Sequence, residues 1–159
     1  MTAFRPINPS ELPDGVWRIP VPIRFGHCDP AGIVYTPEYF NIFNGVLEDW
    51  YGACLGIPYH VLISHRRTGL GYAHVSADFA TPGRLGQVME VAVVVTAIGR
   101  SSVTLTIHAF NDMAECVRAT FITVITSLDT HRSMPIPDDL RTALEAYQAR
   151  SAPSAAEAG

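Results

Sequence analysis

Residues 29–36 (D-P-A-G-I-V-Y-T) place a carboxylate, a turn and the start of a predicted helix one after another. The first turn of a helix has free backbone N–H groups and a positive dipole end, which stabilise negative charge on a substrate oxygen. A carbonyl between these groups and Asp29 suits acyl transfer, with Asp29 as nucleophile or as general base for water. The alternative is an ordinary turn, in which Asp29 bonds to its own backbone two residues further on.

Other candidates for chemistry are weaker. His27 and Cys28 precede Asp29, but neighbouring side chains of an extended segment point to opposite faces, so the three cannot converge on a metal. His60 and His65 have neither a helical metal-binding spacing nor a third ligand nearby, and we predict no metal site. The sequence contains no G-x-S-x-G, P-loop or dinucleotide-binding fingerprint, which argues against a serine hydrolase and against use of ATP or NAD.

A long helix is predicted over residues 37–55, directly after the turn. Thr36 has the residue type of an N-cap, and Pro37 suits the first helical position, where its missing N–H costs nothing. Gly56 is typical of a helix C-terminus. Apolar residues recur along this segment at helical spacing, which indicates a helix enclosed on more than one side. The stripe consists of Tyr39, Phe43, Val46, Trp50 and Cys54.

Strand-like segments lie on both sides of this helix in the sequence. The first, residues 17–25, contains Pro20 and Pro22 and is therefore expected at a sheet edge. Four more segments follow the helix, and a short second helix ends the domain. Their predicted bounds are 69–79, 87–98, 102–110 and 114–127, with the second helix at 138–148. We expect an α+β fold in which the last four strands form an antiparallel meander and the sheet curls around the long helix. A bare edge or face of that sheet would favour a dimer.

The composition predicts one compact domain. Of 159 residues, 48% are hydrophobic and 16% are charged, which favours a large core. We divide the chain into a loosely held arm (residues 1–17), a single domain (18–150) and a disordered tail (151–159).

Charge and cysteine content exclude several partners. The net charge is −4 and no Lys is present, so the chain lacks the basic face that nucleic-acid binding needs. No apolar run approaches the ~20 residues of a membrane span, and the N-terminus does not resemble a signal peptide. The 3 Cys are far apart and odd in number, which argues against disulfides and structural zinc. We therefore expect a cytoplasmic protein that binds neither nucleic acid nor membrane.

The motif D-P-A-G-I-V-Y-x-P-x-Y-F at residues 29–40 resembles the signature of the 4-hydroxybenzoyl-CoA thioesterase family of the hotdog-fold superfamily. A hotdog is a curled antiparallel sheet wrapped around one long helix, which is the architecture predicted above. The similarity includes L-G-I-P at 55–58 and G-R-S-S at 99–102, and it extends weakly over residues 20–140. By this resemblance Asp29 matches the catalytic aspartate, and Thr36 matches the position whose backbone N–H polarises the thioester carbonyl.

The resemblance also implies an acyl pocket. Asn44 falls where the 4-hydroxybenzoyl-specific member has an aspartate that meets the substrate's phenol. Tyr59 falls where that enzyme has a tryptophan lining the pocket. Both departures argue against 4-hydroxybenzoyl-CoA itself as the substrate. His74, on a predicted strand, is a further residue that could face the pocket, although a structural histidine is the alternative.

In the family, basic residues hold the CoA phosphates. The matching residues of this chain are Arg100, with Ser101 in the same turn, and Arg132. The pocket would lie where two subunits meet, in a homodimer or homotetramer. The resemblance therefore predicts an acyl-CoA thioesterase for an aromatic or a short to medium acyl group, with no cofactor other than the CoA of its substrate. The alternatives are a hotdog hydratase or dehydratase and a non-catalytic acyl-CoA-binding module.

Overall fold

The computed structural model describes residues 4–153. This part of the chain contains five antiparallel strands and two α-helices. In chain order they are β1 (Arg18–Pro22), α1 (Thr36–Leu55), β2 (Thr68–Phe79), β3 (Val88–Ile98), β4 (Ser102–Asn111), β5 (Ala114–Ser127) and α2 (Asp138–Arg150). The predicted α+β class is confirmed. None of the helices in this part of the chain is long and apolar enough to cross a membrane.

The strands are ordered β1-β3-β4-β5-β2 across one sheet. The predicted meander is therefore correct for β3, β4 and β5 but wrong for β2, which pairs with β5 over the register Thr68↔Ser127 to Phe79↔Val117. The physical reason is the link between β2 and β3, which binds the segment before α1: Val34 N–H donates to the Gly83 carbonyl at 2.9 Å. The link is thus held at the start of α1 and cannot turn back as a hairpin.

Strand β1 lies at the sheet edge opposite β2, as its prolines predict. It ends at Pro22 and not at residue 25, because Phe25–His27 forms a short 3-10 turn. Strand β2 occupies the other edge, so the two edges of the sheet differ in length: β1 has 5 residues and β2 has 12.

Helix α1 begins one residue earlier than predicted, and its N-cap is Tyr35 and not Thr36. Tyr35 has an extended backbone, and its carbonyl accepts a hydrogen bond from the Glu38 N–H at 2.8 Å. No side-chain hydrogen bond caps this end of the helix. Gly56 ends the helix with φ +67°, the left-handed conformation that favours glycine.

The main core lies between α1 and one face of the sheet, called here the inner face. Phe121 of β5 contacts both Phe40 and Phe43 of α1, at ring-centroid distances of 6.3 and 6.5 Å. Helix α2 joins this core through Tyr147, whose ring lies edge-on to Trp50 at 5.2 Å. Phe43 and Trp50 are fully buried, and each such side chain contributes about 1.5–3 kcal/mol by leaving water.

The N-terminal arm packs against the outer face of the sheet over residues 7–16, so the expectation that it is loosely held is wrong for this part. Leu12 and Val16 are buried there against Ala92 and Phe110. The tail begins in an ordered state as well, because the Ser151 hydroxyl donates to the Tyr147 carbonyl at 2.8 Å. Residues 1–3 and the remainder of the expected tail, 154–159, lie outside the described residues.

Candidate active site

Asp29 lies in a tight loop that closes on itself. The Asp29 N–H donates to the Ile33 carbonyl, and the Gly32 N–H donates to the Asp29 carbonyl, both at 2.9 Å. Gly32 makes this closure possible with φ +74°. One carboxylate oxygen, Oδ1, accepts from the Ala31 N–H at 2.8 Å. The ordinary-turn interpretation of this motif is therefore correct as local geometry, and it fixes the orientation of the carboxylate.

The second carboxylate oxygen of Asp29 remains available for chemistry, because Oδ2 accepts no hydrogen bond from residues 4–153. Asp29 is half-buried and lines an open cleft of about 460 Å³. The other lining residues are Phe25, Cys28, Pro30, Gly32 and Leu85. Phe25 is 83% exposed, so the carboxylate lies beside a large apolar surface that a ligand could cover.

The start of α1 supplies a free backbone donor. Within the described residues the Thr36 N–H donates no hydrogen bond. Thr36 is the first residue of the helix, where backbone N–H groups have no partner within the helix, and no side chain caps this end. Pro37 follows and has no N–H to offer. Tyr35, in contrast, has its N–H engaged by the His27 carbonyl at 2.9 Å. Thr36 is therefore the one backbone donor of residues 35–37 that can hold an oxyanion.

Asp29 and Thr36 line different clefts of one chain. Thr36 borders a smaller cleft of about 220 Å³ whose walls include Tyr39 and Phe79. The two residues are nonetheless connected by a single ordered loop, because Cys28 forms an antiparallel bridge with Val34. The structure thus fixes the relation between carboxylate and helix start without enclosing a ligand between them.

A third cleft, of about 550 Å³, runs along α1 from Pro37 to Asn44 and is walled by the sheet. Asn44 is exposed in it, as an acyl-pocket residue would be. Its Oδ1 accepts a hydrogen bond from the Tyr72 hydroxyl at 2.6 Å. Tyr72 was missed in the sequence because strict alternation along 69–79 puts it on the face opposite Val75. The register of β2 shifts between Tyr72 and His74, and this irregularity brings Tyr72 and Val75 to the same cleft.

His74 and Tyr59 do not line this cleft. His74 is exposed and pairs with Ile122, the neighbour of Phe121 on β5, so it belongs to the outer face of the sheet. A single chain therefore does not bring His74 to the predicted pocket. Tyr59 is half-buried and lies edge-on to Tyr51 at 5.4 Å. Burial, with a smaller effect of Glu48, raises the pKa of Tyr59, so its hydroxyl stays neutral.

Arg100, Ser101 and Arg132 lie together at one end of the sheet. The Ser101 carbonyl accepts from the Ile125 N–H at 2.8 Å, and the Arg132 carbonyl accepts from the Ser127 N–H at 2.9 Å. Both arginine side chains are exposed, and neither forms an ion pair with residues 4–153. This end of the sheet is remote from Asp29. The Asp29 loop contacts the segment before β3, whereas Arg100 comes after β3. The 11 residues of β3 span roughly 35 Å, which separates the two. One chain does not place these arginines beside Asp29.

The three cysteines are free and are not combined with the histidines of the motif. The Cys28 thiol donates to the Arg24 carbonyl at 3.5 Å, whereas the His27 Nδ1 accepts from the Arg24 N–H at 3.0 Å. Both side chains are thus bound to the backbone of their own turn.

Comparisons with known proteins agree with this fold. The family model of the Thioesterase-like superfamily matches residues 23–144. The match contains the Asp29 loop, α1, the sheet strands β2 to β5 and most of α2. This chain belongs to the Thioesterase-like superfamily. The narrower resemblance to the 4-hydroxybenzoyl-CoA thioesterase family stays a prediction.

The individual relatives have low sequence identity to this chain. A 1,4-dihydroxy-2-naphthoyl-CoA hydrolase of Synechococcus elongatus is 27% identical over 124 residues, which cover 77% of this chain and 90% of the relative. A thioesterase superfamily protein from Jannaschia sp. CCS1 superposes with a TM-score of 0.79 at 25% identity, over 85% of this chain and 94% of that one. The 1,4-dihydroxy-2-naphthoyl-CoA thioesterase of Synechocystis has a TM-score of 0.74 at 20% identity, over 81% and 95%. The last similarity supports the fold alone.

Proposed function

We propose that this protein hydrolyses the thioester of an aromatic acyl-CoA, releasing the free acid and CoA. The observation that carries the proposal is the Asp29 carboxylate, held by Ala31 through one oxygen and open to a cleft through the other, on the loop that leads to the free N–H of Thr36. Membership of the Thioesterase-like superfamily supports the reaction type. The aromatic acyl group is supported by the aromatic walls of the cleft along α1 and by the name of the Synechococcus elongatus relative.

In the proposed reaction, Asp29 Oδ2 takes a proton from a water molecule whose oxygen bonds to the thioester carbon. The negative charge that develops on the carbonyl oxygen is stabilised by the Thr36 N–H and the positive end of α1. Collapse of the tetrahedral intermediate breaks the carbon–sulfur bond, and the CoA thiolate leaves. In the other course of the same reaction, Asp29 bonds to the thioester carbon and the CoA thiolate leaves; water then hydrolyses the mixed anhydride to the free acid and restores Asp29. Neither course requires a metal or a further cofactor, because the thioester is already an activated acyl group.

The test is the variant Asp29→Asn. Its amide side chain keeps an oxygen for the Ala31 N–H, so the loop is preserved while the base is lost. We expect thiol release from benzoyl-CoA and related aromatic acyl-CoAs to fall by at least ~100-fold, the smallest contribution typical of a general base. Asp112→Asn, in the exposed turn between β4 and β5, is the matched control. Unchanged thiol release in Asp29→Asn would contradict the proposal. Saturable binding without release in the wild type would indicate a binding module.

The site of one chain is incomplete, and we propose that a second copy completes it. Asp29, the α1 cleft and the exposed arginines lie in separate places on one chain, and the whole length of β2 is a sheet edge. Unpaired strand edges are common places of self-association. We expect light scattering of the active protein to give a dimer or tetramer of the 17.3 kDa chain. A monomer with full turnover would contradict a shared site.

A further inference from the structure

The cleft along α1 combines apolar walls with two polar pairs, Asn41–Glu38 near the start of the helix and Asn44–Tyr72 further along it. Its walls are formed by Phe40 and Phe121, and the Tyr72 ring lies edge-on to Phe121 at 5.0 Å. Such a slot of about 550 Å³ accommodates a flat aromatic group. The Asn44–Tyr72 hydrogen bond lies on the same wall, two helical turns along α1 from Pro37. A ring inserted from the start of α1 would therefore meet this polar pair with its far edge.

The direction of the hydrogen bond determines which atoms the pair can offer to a ligand. The Tyr72 hydroxyl donates and Asn44 Oδ1 accepts, at 2.6 Å. Burial, assisted by Tyr59, raises the pKa of Tyr72, so the hydroxyl keeps its proton at neutral pH. One of the two acceptor positions of the amide oxygen is thus occupied. Its Nδ2 donates no hydrogen bond to residues 4–153, although it carries two N–H groups.

We propose that Tyr72 determines acyl-group specificity by fixing the Asn44 amide so that its N–H groups face the cleft. The cleft then favours an aromatic acyl group whose far edge carries a hydrogen-bond acceptor, such as an ether or carbonyl oxygen, over one of the same shape without it. This inference rests on the proposed thioesterase activity. Tyr72 is a positioning residue here, since it acts on the substrate through Asn44.

Two substrates of nearly equal shape isolate this effect. The 4-methoxy group of 4-methoxybenzoyl-CoA accepts a hydrogen bond but cannot donate one, and the 4-ethyl group of 4-ethylbenzoyl-CoA does neither. We expect kcat/KM to be about threefold to tenfold higher for the methoxy substrate, the value of one neutral hydrogen bond. The ratio of the two constants cancels any general loss of activity in a variant.

The variants test the pair directly. Tyr72→Phe releases the amide and should lower the methoxy-to-ethyl ratio toward one. Asn44→Asp retains the partner of Tyr72 but has no N–H, so the ratio should fall below one because two acceptors then face each other. Ser76→Ala, which removes an exposed hydroxyl from the outer face of the same strand, outside the cleft lining, is the control and should keep the wild-type ratio.

A wild-type ratio near one, or an unchanged ratio in folded Tyr72→Phe, overturns the inference and leaves the thioesterase proposal intact, provided benzoyl-CoA is hydrolysed. Absence of thiol release from every aromatic acyl-CoA overturns both. Circular dichroism of each variant identifies one that has not folded. If Tyr72→Phe does not fold, Asn44→Asp decides, and an unchanged ratio in that variant overturns the inference.

Discussion

Two carboxylates of this protein, Asp29 and Glu115, have opposite surroundings. Glu115 on β5 is fully buried at the outer face, where His108 Nδ1 lies 2.7 Å and the Arg118 Nε 2.9 Å from its Oε1. Its Oε2 accepts the Ile7 N–H of the arm at 3.0 Å. The carboxylate of Asp29 accepts a single hydrogen bond within residues 4–153, from the Ala31 N–H, and lies at an open cleft. The carboxylate with more partners is the one far from the candidate site.

The difference shows what each carboxylate does. Burial alone would raise the pKa of Glu115, but the hydrogen bonds from Arg118, Ile7 and His108 lower it overall, so the buried charge is compensated. A group held in this way fastens the arm to the sheet and cannot also receive a substrate proton. Asp29 keeps an uncommitted oxygen, which is what a base or nucleophile needs. The number of partners separates a structural carboxylate from a candidate catalytic one.

The largest expected effect on stability is that of Glu115→Ala. Removing one member of a buried charge network leaves the others unpaired, and typically costs about 3–5 kcal/mol of unfolding free energy. Asp29→Ala should cost about 1 kcal/mol, one exposed hydrogen bond, although it removes turnover. Urea unfolding measures both. Glu90→Ala, which breaks the half-exposed Arg18–Glu90 pair, is a control expected to cost less than about 1 kcal/mol. Equal losses in Glu115→Ala and Glu90→Ala would contradict the distinction.

A smaller effect is expected where the arm packs on the sheet without charge. Leu12→Ala removes a buried side chain from the outer face and should lower the unfolding free energy by about 2 kcal/mol. Turnover at room temperature should be retained, since this face is remote from the Asp29 cleft.

The variant Leu85→Ala is the reverse case. Leu85 is half-exposed in the Asp29 cleft, so loss of its side chain should change KM more than it changes the unfolding free energy. Thermal denaturation and thiol release together distinguish the two, and a Leu12→Ala variant with lost turnover at full stability would be a contrary result.

The smallest expected effect is a dependence of stability on pH. Burial lowers the pKa of His108 from its ordinary 6.5, and Glu115 only partly opposes this. The unfolded chain therefore binds a proton more readily than the folded one, so the unfolding free energy should fall as pH drops below about 6.5, by at most ~1.4 kcal/mol per unit. The lowered pKa of Glu115 adds a further loss below about 4.5. The variant His108→Gln should lack the part of this decline that lies between neutral pH and about pH 5, and urea unfolding over that range measures the decline. If the unfolding free energy of the variant falls as much as that of the wild type, the decline belongs to another group.

Local features of the fold were predictable from the sequence, and pairings between distant segments were less so. The end of α1 at Gly56 follows from one residue type, β4 follows from the alternation of its apolar residues, and β5 follows from the turn before it and its strand-forming residues. The partner of β2 could not be predicted, because it depends on the link 80–87 binding the Asp29 loop. The arm was misjudged for the same reason: nothing near Leu12 in the sequence shows that Phe110 will cover it.

The candidate site divides in the same way. Asp29 and Thr36 lie close together in the sequence, so their relation is local. Residue types and spacing predicted the turn and the start of the helix, whereas the assignment of roles to the two residues came from the family resemblance. Tyr72 could not be found, because the irregularity of β2 reverses the alternation from which faces are assigned.

What the sequence alone determined is the loop that presents a carboxylate beside the free end of a helix, since turn and helix signals act over a few residues. The tertiary structure decided that Asn44 is met by Tyr72, 28 residues away, and that Glu115 is met by Ile7, 108 residues away. Contacts at such separations depend on strand order and register, which are set by the packing of the whole sheet and not by any short segment.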